Sequence, residues 1–475
     1  MIWVDVEDIF VFAEYGSRRP NGIQRLAFEL CQALQARCGD QVGFLRHDRA
    51  KTGFVMVEYQ ALAAVFAGLS QAGEAKAAGP APAVPLEIVP PPPGGLRRVR
   101  RGVLKMLWRL PERVREPVVR VVAAEWEAMR AFVGLARMVR RRAVAMPAGV
   151  TAARPVALGV PPAVEDGRFA ARVEAGDVLF APGAAFMHPT YAAMIARARA
   201  EFGIRFALLI YDVIPLRRPE YTGIPHALMF KAWVDAVLPL CDRVFAISRS
   251  AASETEAYAK SAGVVLRHGV QPIPIGTGFS AAERVAGPLR PLPAPGSYAL
   301  IVSTIEVRKN HLLLLRVWRR LLDEMPAGQV PKLVFAGGVG WMVADLMQQL
   351  ENTAYLDGHV VLVEHPSDDE LAALYRGCLF TLFPSFYEGW GLPVSESLAF
   401  GKPCIISDAS SLPEVGGDFA RYIDPDDVAG AARVIRATIE DRAGLLAWEA
   451  RIGRDYRPVP WDATARAVLE ALAEP

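Results

Sequence analysis

Two carboxylates eight positions apart, Glu388 and Glu396, bracket the run "FYEGWGLPVSE". Between them stand Gly389 and Gly391, which let backbone N–H groups approach a ligand closely. Pro393 suits the first position of a helix, where its missing N–H costs nothing. The preceding "LFTLFPS" has the composition of a strand. The stretch therefore predicts a strand, a loop holding Glu388 and a helix with Glu396 in its first turn. A helix start carries partial positive charge and seats phosphate. Carboxylates on either side of it accept from hydroxyl pairs. A sugar joined to ribose through a diphosphate has hydroxyls at both ends and phosphates between. An ordinary turn flanked by a capping Glu and a solvated Glu would carry the same letters, so a second motif is needed to decide. "VSTIEVRKNHLLLLRVW" supplies it, placing Arg308 and Lys309 after a strand at the opening of a helix. Arg as a fork and Lys as a point charge can clamp a diphosphate and stabilise charge on a leaving nucleotide. Two surface cations, with Asn310 and His311 capping the helix, is the competing interpretation.

These side chains need a scaffold that brings strand ends together. Apolar runs alternate with helical stretches in both halves of the chain. "MIWVDV", "DVLFAPG", "RFALLIYDVIP" and "DRVFAISRS" come first; "YALIVSTIE", "KLVFAGG", "HVVLVEH", "LFTLFPS", "KPCIISD" and "ARYIDPDD" follow. "MIWVDV" leads through "GSRRPNG" into the helix-period segment "IQRLAFELCQALQ". Such alternation predicts parallel βα units wound into doubly wound sheets. At 475 residues the chain is too long for one core, so two sheets are expected, joined through the Pro/Ala/Gly-rich 280–297. The "D-x-D" at Asp424 and Asp426 reads as the turn after a strand.

Composition narrows the classes. Five scattered cysteines without a CxxC argue against a disulfide framework or zinc site and suit a reducing compartment. The acidic "MIWVDVEDIF" lacks the charged start of a signal peptide, and no apolar run reaches about 18 residues. The basic charge is concentrated. After a Pro-rich stretch at 78–95, residues 96–142 hold fourteen Arg or Lys against four Glu. That segment is net +10 in a chain of net +2, leaving −8 elsewhere. It reads either as a solvated helical excursion or as an interfacial helix on an anionic membrane surface, with Leu107 and Trp108 among its apolar residues. No groove-reading or stacking motif accompanies it, so no nucleic-acid partner is expected.

Taken together, "STIEVRKNH" and 384–418, "PSFYEGWGLPVSESLAFGKPCIISDASSLPEVGGD", resemble glycosyltransferase family 4. "DDELAALYRGC", "LIYDVIPLRRPEY" and "AISRSAASETEAYAK" match neighbouring stretches, and "RPNGIQRLAFELCQAL" is similar to the glycine loop of the subset that builds bacterial surface polysaccharides. The likeness spans the chain outside 70–175. It implies an α/β GT-B fold, two Rossmann-like domains facing across a cleft. The acceptor domain would be 1–282, with the Pro-rich and basic insertion at about 75–150. The donor domain would be 283–458, and a terminal helix at 459–475 would cross back onto the first. It implies a retaining hexosyltransferase using a nucleotide sugar, GDP-mannose by the subset, and a lipid-linked oligosaccharide acceptor. No metal or cofactor is expected. The protein would be cytoplasmic and peripheral on the inner membrane face. A degenerate sugar-nucleotide-binding scaffold is the alternative; a Rossmann oxidoreductase lacks its GxGxxG.

By the same resemblance the catalytic set is Glu388, Arg308, Lys309 and Asp212. Glu388 would bind donor-sugar hydroxyls and Glu396 the ribose. Gly389, Trp390 and Gly391 would hold sugar and phosphate, with Thr304 and Leu392 beside them, and Gly22 would let the first loop reach the donor phosphate. The leaving phosphate itself would help deprotonate the acceptor. Two departures stand out. Tyr211 occupies the place before Asp212 where many relatives carry His, which leaves Tyr211 and His188 as acceptor-side candidates. Ser303 and Thr304 stand where many have Arg, which puts more charge on Arg308 and Lys309.

Overall fold

The computed structural model describes residues 1–14, 20, 22–48, 50–71, 168–188, 190–278 and 290–474. The Pro-rich stretch, the basic 96–142 and the expected domain boundary at 282/283 lie outside these residues.

The apolar runs become two sheets. The first contains β1 (Ile2–Asp5), β2 (Val42–His47), β3 (Phe54–Val57), β4 (Val178–Ala181), β5 (Arg205–Ile210), β6 (Arg243–Ala246) and β7 (Val270–Pro272), in the order β3-β2-β1-β4-β5-β6-β7. The second contains β8 (Tyr298–Val302), β9 (Lys332–Ala336), β10 (Val360–Val363), β11 (Thr381–Phe383), β12 (Cys404–Ser407) and β13 (Ala420–Ile423), in the order β10-β9-β8-β11-β12-β13. Every pairing is parallel except β2 with β3, where Phe44 faces Val57. Helices cover both faces, so strands such as Tyr298–Val302 are buried along their whole length. That is why they read as unbroken apolar runs rather than alternations.

In each sheet one strand is flanked by neighbours reached in opposite directions: β1 between β2 and β4, and β8 between β9 and β11. Beyond the carboxyl ends of such strands the connecting loops diverge and leave a crevice, where ligands bind in open α/β sheets. The helix Trp461–Ala473 follows the second sheet in sequence but packs on the first. Its Ala465, Val468, Ala471 and Leu472 are buried in the core of the first sheet. Gly276 is pressed so closely on Trp461 that a Cβ there would stand 2.2 Å from the indole.

Three local features depart from expectation. A helix, Glu7–Glu14, intervenes between β1 and the glycine loop. Ile9, Phe10 and Ala13 form its buried stripe, and Glu7 and Asp8 sit at its start. Arg308 and Lys309 precede their helix instead of opening it. They sit in a short turn, Val307–Lys309, and left-handed Asn310 (φ 58°) redirects the chain into His311–Glu324. The helix after the glycine turn begins at Leu392, with Gly391 at φ 119° making the bend one residue early. Glu396 therefore opens the second turn. Among the described residues no helix is long and apolar enough to cross a membrane.

Candidate active site

The second crevice gathers the motif residues from separate loops. After β8 the chain runs through Glu306, Arg308 and Lys309; after β11 it runs through Tyr387 and Glu388. The loops are tied by backbone and side chain. Phe386 N donates to Arg308 O at 2.9 Å. Asn310 Nδ2 donates to Pro384 O at 3.1 Å and to Pro425 O at 2.8 Å. Asn310 thus stitches three loops together rather than capping a helix. Glu388 is fixed from behind, its N–H donating to Ser410 Oγ at 2.8 Å and its carbonyl accepting from Ser411 Oγ at 3.0 Å.

Glu388 is the centre of the charge cluster. Its Oε2 accepts from Arg308 Nη1 at 2.7 Å and its Oε1 from Lys309 Nζ at 2.6 Å. Arg308 also donates to Tyr387 O at 2.6 Å and through Nη2 to Glu306 Oε1 at 2.6 Å. Burial pushes the Glu388 pKa up, but the two cations outweigh it and hold the carboxyl at about 2. Lys309 is lowered by burial and by Arg308, despite the carboxylates beside it. Glu306, only 2% exposed, is raised by burial, and its Oε2 has no hydrogen-bond partner among the described residues. Two cations and two carboxylates in a largely buried crevice are poised for anion exchange. An entering diphosphate can take over contacts that Glu388 now makes, freeing that carboxylate for hydroxyls.

The first sheet supplies the opposite wall. A Cβ on Gly389 would lie 2.5 Å from Tyr211 O and 3.3 Å from Asp212 Oδ2, so only glycine fits. Asp212 Oδ1 accepts from Ile214 N at 2.9 Å, and burial raises its pKa. Tyr211 gives its hydroxyl to Pro182 O at 2.5 Å. Trp390 packs against both cores. Gly22 opens the helix Gly22–Cys38 with its Cα side toward Leu392, 3.5 Å from a Cβ built there to Leu392 Cδ1. Two helix starts, at Gly22 and Leu392, therefore face one another. Glu396 accepts from Tyr375 OH at 2.9 Å, and burial raises its pKa against the opposing charge of Arg25. Thr304 is exposed beside the loop after β9, where its methyl lies 2.7 Å from a Cβ built on Gly340. Asp424 Oδ1 accepts from Asp426 N, as expected of a turn.

Over residues 291–452 the chain matches the family model described as Glycosyl transferases group 1. The chain carries a group 1 glycosyl transferase domain. A serotype-specific mannosyltransferase, WbdA, of Escherichia coli is 29% identical over 286 residues, 56% of this chain and 34% of that protein. O-antigen chain mannosyltransferase B of Escherichia coli is 35% identical over 144 residues, 30% of this chain and 37% of that protein. The chain thus spans little more than a third of these relatives. HepE of Anabaena, solved with UDP and glucose, shares 15% identity over 63% of this chain and 78% of its own, with a TM-score of 0.48.

The glycosyl transferase domain brings Glu388, Arg308, Lys309, Gly389, Trp390, Gly391 and Leu392 together, with Asp212 and Gly22 opposite; Glu396, one turn along the Leu392 helix, faces the charge of Arg25 in the Gly22 helix. Four participants were not singled out from sequence. Glu306 lies two residues before Arg308, inside the quoted motif. Arg25 pairs with Asp368, and Glu254 accepts from Tyr387 OH, both across the crevice. Glu414 caps the helix Arg249–Ser261 from the other domain, its oxygens accepting from Arg249 N at 2.8 Å and Ser250 N at 2.7 Å. Among the described residues no cluster of three or more His, Cys, Asp or Glu could hold a metal ion.

His188 lies in the first sheet's crevice, not against Glu388. It is 9% exposed, and its ring meets His47 edge-on at 4.7 Å. Burial, with the neighbouring His47, lowers its pKa. Asp8 stands in the same crevice, pushed up to about 6 by burial and by Asp5, although Ala184 N and Gln24 donate to it. A carboxyl with a raised folded pKa is costless while protonated. Its cost grows as pH rises from the unfolded value of 3.8 through about 6 and is complete above that. Asp8→Asn is accordingly expected to stabilise the protein at pH 8 by roughly 1–3 kcal/mol, with the gain fading toward pH 4. Urea titrations of both proteins at the two pH values test this; a gain independent of pH would contradict it.

Proposed function

We propose that the chain is a retaining, metal-independent hexosyltransferase. It moves a sugar from a nucleotide donor, GDP-mannose in the first instance, to a growing lipid-linked glycan of a bacterial surface polysaccharide. The observation that carries this is Glu388 held between Arg308 and Lys309 at the switch point of the second sheet. The paired helix starts at Leu392 and Gly22 add a seat for phosphate. In this mechanism the diphosphate lies on Arg308, Lys309 and the Leu392 helix start. Glu388 orients the donor sugar through its hydroxyls, and Glu396 takes the ribose. Asp212 closes the site from the other wall. As the glycosidic bond to phosphate breaks, the two cations stabilise the departing charge. The leaving phosphate oxygen, on the same face, takes the acceptor's proton, and configuration is retained.

The test is a melting-temperature screen with GDP-mannose, GDP-glucose, UDP-glucose and UDP-N-acetylglucosamine, followed by nucleotide release with acceptor. A bound donor raises the melting temperature by mass action. Stabilisation by none of them would overturn the donor site. Stabilisation without any release in the presence of membrane-derived lipid-linked glycan would favour a non-catalytic binding protein. Peripheral attachment at the cytoplasmic membrane face is proposed on the net +10 charge of 96–142. Co-sedimentation with anionic but not neutral vesicles, reversed by salt, is expected, and its absence at low salt would remove this part.

A further inference from the structure

Arg308, Lys309 and Glu388 each have a task in the proposed transfer; Glu306, in the same cluster, has none. It is 2% exposed, and only one of its oxygens is engaged. Oε1 accepts from Arg308 Nη2 at 2.6 Å, while Oε2 is buried with no hydrogen-bond partner among the described residues. Glu388, by contrast, has a cation on each oxygen. Buried polar atoms are ordinarily paired, and a carboxylate oxygen left unpaired beside an anion site is costly. A proton on Oε2 turns it from an unmatched acceptor into a donor, the form that suits a neighbouring phosphate.

The charges around it say when that proton arrives. Arg308, Lys309 and Glu388 are the charged groups that face Glu306. The loop after β9, where a Cβ built on Gly340 would lie 3.6 Å from Glu306 Cβ, carries no charged residue from Val339 to Val343. Burial and Lys309 push the imidazole of His311 down to about 3, so it adds no charge near neutral pH. In the empty crevice two cations therefore balance two carboxylates, with Asp212 on the opposite wall. The diphosphate of a nucleotide sugar brings two negative charges. Once it takes over Arg308 Nη1 and Lys309 Nζ, the cations no longer neutralise both carboxylates, and like charges favour a protonated form. Glu388 is then an acceptor for sugar hydroxyls, a role that protonation would weaken. Asp212 Oδ1 already accepts from Ile214 N at 2.9 Å. Glu306 has the unpaired oxygen, and burial already raises its pKa against the pull of both cations.

We infer that Glu306 takes a proton from solvent as the donor diphosphate seats on Arg308 and Lys309, and returns it when the nucleotide leaves. The inference rests on the donor-site proposal. The complex then holds one more proton than the empty protein, so donor affinity falls as pH rises, by up to about tenfold per pH unit. Isothermal titration of the full chain with GDP-mannose, GDP-glucose, UDP-glucose and UDP-N-acetylglucosamine tests it, at pH 6, 7 and 8 in buffers of differing ionisation enthalpy. The phosphates of these donors do not titrate in that range, so heat that scales with buffer ionisation counts protons taken up by the protein. Wild type should take up about 0.3–1 proton per donor bound at one or more of these pH values. Glu306→Gln keeps an acceptor for Arg308 without the charge. It should take up less than about 0.1 proton and bind the donor about threefold or more tighter than wild type at pH 8. Asp212→Asn should keep the wild-type uptake. Donor binding without proton uptake in wild type overturns the inference and leaves the donor site standing. So does uptake that survives in Glu306→Gln, which would put the proton on Lys309 or Asp212, or uptake that vanishes in Asp212→Asn. Binding of none of the four donors overturns the donor site, and this inference with it.

Discussion

Lys309→Ala is expected to lower turnover roughly 30- to 1000-fold while leaving the fold intact. A charge-assisted contact to developing phosphate charge in a closed site contributes about 2–4 kcal/mol, and each 1.36 kcal/mol is tenfold in rate. The fold tolerates the change because the ammonium is already disfavoured: burial and Arg308 lower its pKa. Its partner Glu388 keeps Arg308 at 2.7 Å. Arg308→Ala should differ. It removes the group joining Glu306, Glu388 and Tyr387 O, leaving two buried carboxylates to share one lysine. That variant should lose both turnover and melting temperature. Single-turnover rates and thermal unfolding of the pair separate the two behaviours. Transfer by Lys309→Ala within threefold of wild type would show that the diphosphate lies elsewhere.

Glu388→Gln should have a comparable effect on rate by a different route. Loss of the carboxylate removes the strongest acceptor offered to the donor sugar, so a loss of roughly a hundredfold or more is expected in both transfer and donor hydrolysis. It also leaves Arg308 and Lys309 buried with Glu306 alone. Breaking a buried ion pair costs about 3–5 kcal/mol, so the empty variant should melt lower than wild type. An incoming diphosphate replaces the missing charge. The free nucleoside diphosphate should therefore bind the variant at least as tightly as wild type and restore much of the lost melting temperature. Isothermal titration and melting curves with and without nucleotide read both effects. Nucleotide affinity that falls in step with turnover would contradict the exchange of Glu388 for phosphate. The native pair also has a pH signature. With a folded pKa of about 2 against an ordinary 4.5, Glu388 contributes stability that is fully present above pH 4.5 and lost as pH falls through 2.

Much of this site was legible because its chemistry is local in sequence. Glu388 through Leu392 form one turn, and Arg308 and Lys309 are adjacent, so spacing alone could place each beside a helix start. The β-strands were legible where both faces are covered, as in Tyr298–Val302. They were missed where burial is partial or Arg and His intervene. β2 buries Arg46 and His47, which Glu7 and Asp5 neutralise, and β3 is a half-buried edge. Of the residues lining the crevice beyond β1, only His188 was singled out in the sequence. Asp8, Gln24, His47 and His188 are scattered over the first 188 residues and meet only because β1, β2 and β4 lie side by side. Glu414 reads as one letter of a motif, and nothing near it announces the helix start that it caps 164 residues away.

The terminal helix sets an order on the making of this protein. Ala465, Val468, Ala471 and Leu472 are core residues of the first sheet, yet they are synthesised after every strand of the second. Thr464 Oγ1 accepts from Gly276 N at 3.0 Å and Val459 O accepts from Thr277 N at 2.8 Å, so the return is pinned by backbone as well as by packing. During synthesis the nascent first half waits with an apolar groove open while the whole second half is translated and folds. Domains ordinarily complete themselves from the amino terminus onward; here the first sheet is begun before the second and closes after it. A nascent chain stalled before Trp461 would carry a finished second sheet and an unsealed first one, so the crevice takes its shape only after that helix has docked.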